Sequence, residues 1–167
     1  MDIREAREDD ALSTLNLRRA VLDEGRWFIT EADELPDSFE LEQSVIRQLD
    51  RQPNSLYLVA VDGEQLLGLL QLQGGALRRM RHVAKLEVLV DADRRGQGIG
   101  NALLTEALEW ALGNPHLSKV GLAVFAHNTR AIALYERHGF IEEGRRVREY
   151  KTVTGQYWDD VLMSRAV

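Results

Sequence analysis

The segment Leu89-Val90-Asp91-Ala92-Asp93-Arg94-Arg95-Gly96-Gln97-Gly98-Ile99-Gly100-Asn101 decides how this chain is read. An apolar run from Val83 to Val90 enters a short charged loop, and three glycines at alternate positions then open a helix. That helix is the clearest in the sequence. Ile99, Leu103, Ala107 and Trp110 fall along one edge, Leu104, Leu108 and Ala111 along the next, and Gly113-Asn114-Pro115 supplies a stop. Glycine has no Cβ, so backbone N–H groups can approach a ligand closely and take unusual dihedrals. A helix N-terminus adds unpaired donors and partial positive charge, which suit a phosphate or pyrophosphate, and Arg95 can add a full charge. The plain alternative is a glycine-rich helix start of structural use alone.

Outward from this segment the chain alternates strand and helix signals. Ile3 to Ala6 reads as a short opening strand, and Leu12, Leu15, Leu17, Ala20, Val21 and Leu22 recur near helical spacing. Pro36-Asp37-Ser38 reads as a helix start ahead of Phe39, Leu41, Val45, Ile46 and Leu49. Leu56–Val61 and Leu66–Leu72 are strands joined at Asp62-Gly63, a strong hairpin signal. Beyond the glycines, Val120–Phe125 is a strand, and Asn128 can cap a helix carrying Ala131, Ile132, Leu134 and Tyr135, closed by Gly139. Two last strands meet at Thr154-Gly155. The order is one strand, two helices, three strands, helix, strand, helix, two strands, an α/β (α+β) mixed sheet covered by helices.

At 167 residues with no linker or repeat, residues 1–167 are expected to form a single domain. With 21 basic and 27 acidic residues the net charge is −6, which disfavours a nucleic-acid partner. The absence of cysteine excludes disulfide scaffolds, thiolate nucleophiles and Cys-based metal sites. The first ten residues are too charged for a signal peptide, and no apolar run approaches the ~18 residues of a membrane span. The expectation is a cytoplasmic protein with no membrane partner.

Three phosphate-binding patterns compete for the glycine segment. A Walker loop is excluded because no Gly-Lys-Ser/Thr follows. The dinucleotide fingerprint fails because the sixth residue from Gly96 is Asn101, and no Asp or Glu ends a second strand about 20 residues later. The third pattern, Arg/Gln-x-x-Gly-x-Gly/Ala, is met by Arg95 to Gly100. It resembles the acetyl-CoA signature of the GNAT N-acetyltransferase superfamily. About thirty residues on, Asn128-Thr129-Arg130-Ala131-Ile132-Ala133-Leu134-Tyr135-Glu136-Arg137-His138-Gly139-Phe140 is similar to that superfamily's second signature. With the element order, the resemblance covers roughly residue 55 to the end. The ending, Glu142-Glu143-Gly144-Arg145 and Gly155 to Met163, is similar to small bacterial acetyltransferases of free amino acids, polyamines and protein N-termini.

The resemblance implies a six- to seven-stranded, mostly antiparallel sheet flanked by about four helices, with acetyl-CoA as co-substrate and no metal. It implies that the strand at Leu89 and Val90 splays from Leu122–Phe125 and bonds the pantetheine arm through its backbone. It places the pyrophosphate on Gly96, Gln97, Gly98, Ile99, Gly100 and Asn101, with Arg95 beside it. Asn128 would touch the pantetheine or simply cap its helix. Tyr135 would contact the cofactor and protonate the departing thiolate, an uphill transfer of roughly 2 kcal/mol at reference pKa values; the alternative is a core tyrosine. Glu87 is the candidate base, with a solvated or water-chain role as the alternative. The four histidines, His82 and His127 among them, show no metal-ligand spacing. Arg78, Arg79 and Arg81 read as a solvated loop. Trp27 and Phe28, among acidic residues including Glu31, either border an acceptor ammonium or serve packing. The function implied is acetyl transfer to a primary amine of a small amino acid or polyamine-like molecule by direct attack. A catalytically silent acyl-CoA-binding regulatory module and a protein N-terminal acetyltransferase are the alternatives, and a homodimer is compatible with each.

Overall fold

The computed structural model describes residues 1–36 and 38–167. Strands β1 (Asp2–Glu5), β2 (Leu56–Asp62), β3 (Gln65–Gly74), β4 (Val83–Val90), β5 (Lys119–Phe125), β6 (Ile141–Lys151) and β7 (Tyr157–Ala166) form one sheet. Their order is β1-β2-β3-β4-β5-β7-β6. Helices α1 (Ala11–Asp23), α2 (Phe39–Asp50), α3 (Ile99–Gly113) and α4 (Thr129–Arg137) cover it. The architecture is the one expected, a seven-stranded, mostly antiparallel sheet with four α-helices.

Local chemistry sets the boundaries. The Ser38 hydroxyl accepts from the Leu41 N–H at 3.1 Å and starts α2; Asp37, part of the expected start, lies outside the described residues. Asn128 caps α4 by accepting from the Ala131 N–H at 3.3 Å. One apolar position departs from the reading. Leu12 is 56 % exposed, because at ~100° per residue it falls outside the arc that Ala11, Leu15, Val21 and Leu22 turn inward.

Strand alternation divides the core between the two faces. Leu70, Leu86 and Val120 pack with Leu103, Leu104 and Leu108 of α3, while Tyr57, Val59, Leu69 and Leu89 pack with Leu17, Val21, Ile46 and Leu49 of α1 and α2. Gly68, opposite Val90, brings α3 close to the sheet: a Cβ there would lie 2.9 Å from the Leu89 carbonyl and 3.1 Å from an Ile99 methyl. The first turn of α3 therefore lies directly over the end of β4.

The centre of the sheet opens beside that end. β4 and β5 run parallel and pair only through Val83–Lys85 with Lys119–Gly121. From there β4 stays on β3 as far as Val90, and β5 stays on β7 as far as Phe125. The β4 edge from Leu86 to Val90 has no ladder partner on the β5 side among the described residues. A wedge between the two strands is the result.

Candidate active site

The glycine turn closes the wide end of this wedge. Gly96 (φ +85°) and Gly98 (φ +84°) are left-handed, a region that costs other L-residues roughly 1–2 kcal/mol. A Cβ on Gly98 would meet nothing within 4 Å, so the space above it is open. Gly100 differs. It lies inside α3, where a Cβ would make ordinary 3.6 Å contacts with Val90 and Leu134. Gly98 caps α3, and the Ala102 N–H is the first to bond back, to the Gly98 carbonyl at 2.9 Å. The N–H groups of Ile99, Gly100 and Asn101 thus stand ahead of the helical ladder. The Ile99 side chain is buried, Gln97 donates to the Asp93 carbonyl at 3.3 Å, and Asn101 Oδ1 lies 3.0 Å from His138 Nε2.

The cation expected at the turn is engaged elsewhere. Arg95 donates through Nη1 and Nη2 to both Glu24 oxygens at 2.7 and 2.5 Å, and through Nε to the Val90 carbonyl at 3.1 Å. Its guanidinium holds the Glu24 carboxyl below the usual carboxylate range. The guanidinium beside Gly96 belongs to Arg130, with Nη2 3.6 Å from where a Cβ would stand. Sequence reasoning missed Arg130, which lies inside the second motif at a position that motif leaves unspecified.

Along the wedge the backbone groups of β4 alternate between its two edges. The Asp91 N–H bonds to the Leu67 carbonyl, so Leu89, two residues earlier and opposite Leu69, also faces β3. The N–H and C=O of Val90 face the opening, where Arg95 Nε meets the carbonyl. Tyr135 of α4 is buried with its ring 5.8 Å from Phe140, in the cluster formed with α3. Burial and then the charge of Glu87 push its phenol well above the ordinary tyrosine value. Glu87 comes from the other face. It shares the parity of Leu89, and its carboxylate accepts from Arg18 Nη1 of α1 at 2.8 Å. Tyr135 and Glu87 thus belong to opposite faces of the sheet, one packed in the α3 cluster and the other bonded to Arg18 of α1.

At the end of the wedge, His127 gathers an aromatic group. Its ring lies 4.6 Å from Trp158, 5.4 Å from Phe125 and 6.1 Å from Trp27, and its Nε2 is 2.8 Å from the Arg26 carbonyl. Trp27 donates to Glu24 at 2.6 Å, so Glu24 ties the loop after α1 to Arg95. Phe28 packs on the core under α1 and α2. Glu31 is exposed and opens the short 3-10 turn Ala32–Glu34, its N–H donating to Glu34 at 2.9 Å. The structure thus brings Trp27 to the wedge with His127, whereas Phe28 and Glu31 serve local packing and a turn. Arg78 and Arg79 are exposed. Among the described residues no group of three or more His, Asp or Glu could hold a metal, and no helix is long and apolar enough to cross a membrane.

The profile described as Acetyltransferase (GNAT) family matches residues 19–140. The chain is 28% identical over 149 residues to spermidine N(1)-acetyltransferase of Vibrio cholerae, spanning 89% of this chain and 81% of that protein. It is 29% identical over 119 residues to the L-amino acid N-acetyltransferase AaaT of Escherichia coli, spanning 71% of this chain and 72% of the relative. The crystal structure of a GNAT-family acetyltransferase from Streptococcus pneumoniae superposes with a TM-score of 0.95 at 26% identity, covering 99% of both chains. Solved structures of this fold hold acetyl-CoA. The profile spans more than half of the sequence, and the wedge, glycine turn and helix order agree with it: the chain belongs to the acetyltransferase (GNAT) family and is an acyltransferase.

Proposed function

We propose that this chain transfers an acetyl group from acetyl-CoA to the primary amine of a small molecule, an amino acid or a polyamine-like amine, by direct attack. One observation carries the reading: the β4–β5 wedge has open, left-handed glycines at its mouth, with Tyr135 buried on the α3 side of the sheet and Glu87 on the α1 side. The relatives that act on spermidine and on L-amino acids support the acceptor class.

The residues fit the cofactor. The open space over Gly98, the N–H groups of Ile99, Gly100 and Asn101, and the guanidinium of Arg130 suit a pyrophosphate. The unladdered β4 edge at Leu89 and Val90 suits an amide-bearing arm lying as an added strand. Asn128, its side chain occupied in capping α4, shapes the other wall. When bound, acetyl-CoA supplies a thioester carbonyl open to an amine and a sulfur that leaves.

Glu87 accepts a proton of the incoming ammonium, directly or through water, and Arg18 fixes its orientation. Tyr135 holds the proton that the sulfur requires at its Oη. As the amide bond forms and the C–S bond breaks, that proton passes to sulfur, and the nitrogen's surplus proton restores the phenol. Burial makes Tyr135 a weaker acid than free tyrosine, but a thiolate leaving in the same dry wedge is a stronger base for the same reason. Acetyl-CoA-dependent release of CoA, measured across amino acids, polyamines, aminoglycosides and N-terminal peptides, tests the reading. Saturable CoA binding with no turnover on any amine would leave a silent binding module instead.

A further inference from the structure

The face of the sheet that carries Glu87 also carries a cavity outside the wedge. It measures about 220 Å³, room for about seven waters at ~30 Å³ each, and lies between α1, α2 and β3. Two donors face it. Gln71 stands directly opposite Glu87 on β3, and its Nε2 is buried with no hydrogen-bond partner among the described residues. Arg18, its side chain only 14% exposed, spends Nη1 on Glu87. A guanidinium has five N–H donors, so most remain for a ligand. Leu15, Leu41 and Val45 supply apolar wall. Glu42, also on the cavity, is anchored by the hydroxyls of Thr14 at 3.0 Å and Tyr57 at 2.8 Å.

A buried donor without a partner is costly, and Gln71 Nε2 beside the Arg18 guanidinium calls for an acceptor that carries negative charge. We propose that this cavity is the acceptor pocket and that it selects an α-amino acid with an apolar side chain. Arg18 and Gln71 hold the carboxylate, and the wall of Leu15, Leu41 and Val45 takes the side chain. The amine, one carbon away from the carboxylate, then falls beside Glu87, the residue already bonded to Arg18. This rests on the acetyl-transfer reading and narrows its substrate class. A polyamine fits poorly, because its second ammonium would meet Arg18.

The test uses L-leucine, 3-methylbutylamine (leucine without its carboxylate) and spermidine as acceptors for wild type and Gln71→Leu. CoA release gives kcat and KM, and melting with each acceptor alone gives binding. L-Leucine should exceed 3-methylbutylamine and spermidine in kcat/KM by at least about tenfold, since the amines leave the donors unpaired. Gln71→Leu should cut the leucine-over-amine ratio about tenfold, through KM. L-Leucine alone should raise the melting temperature of wild type and not that of Gln71→Leu. Equal kcat/KM for leucine and 3-methylbutylamine, or an unchanged ratio in the variant, overturns the pocket while leaving acetyl transfer standing. If no amine releases CoA, acetyl transfer falls. In that case, protection of wild type alone by leucine upholds the pocket, and absence of protection overturns it too.

Discussion

Glu24→Gln removes one charge from the junction of the glycine turn and the loop after α1. In the native chain Glu24 takes both arms of Arg95 at 2.7 and 2.5 Å and the Trp27 indole at 2.6 Å, with the two ionic side chains 25% and 24% exposed. Glutamine keeps the size and one oxygen, but it leaves the guanidinium without its anion. Fully exposed ion pairs contribute about 0–1 kcal/mol, and hydrogen bonds to buried charges about 1.5–3. At one-quarter exposure the loss should be about 1–2 kcal/mol. For a chain of this length that lowers Tm by roughly 2–8 °C at pH 7, at ~2–4 °C per kcal/mol. The pH dependence has a definite sign. Because Arg95 depresses the folded-state pKa of Glu24, the pair's stabilisation is complete above the unfolded value of ~4.3 and is lost as pH falls through the lower folded value. Thermal melts of both proteins from pH 7 downward should show a constant gap to about pH 5 and a narrowing gap below pH 4. Equal Tm values at pH 7, or a gap that widens on acidification, would refute the reasoning.

Gly98→Ala should cost about 1–2 kcal/mol through its left-handed φ and weaken acetyl-CoA binding, whereas Gly100→Ala, inside a helix with 3.6 Å clearance, should gain ~0.4–1 kcal/mol; melts and cofactor titrations compare the two. Tyr135→Phe should lower kcat by ~10²–10⁴ while weakening acetyl-CoA far less, and a kcat loss under about tenfold would make the residue one of packing alone. Acetyl-CoA at 100 times its dissociation constant should add ~2.7 kcal/mol in thermal melts, with NAD and ATP adding much less; equal protection by NAD would remove the assignment of the glycine turn.

Much of this protein was legible in its sequence because the deciding constraints are local. A glycine at positive φ, a hydroxyl or amide cap and an apolar period act within a few residues, so Gly96 and Gly98, Ser38, Asn128 and the stripe of α3 announced their turns and helices directly. The two motifs around Arg95 and Tyr135 announced the family by the same route. What stayed hidden depends on partners far along the chain. Arg95 meets Glu24 across 71 residues, and Glu87 meets Arg18 across 69. No periodicity encodes either pair, since each follows from the height at which α1 settles on the sheet. Strand register placed Gln71 opposite Glu87, and its buried Nε2 has no partner among the described residues. The ladder between β4 and β5 ended after three residue pairs, and that opening freed the β4 edge from Leu86 to Val90. Sequence set the elements and their turns through short-range dihedral and hydrogen-bond demands, and packing of the two helical layers on a split sheet decided which charges meet.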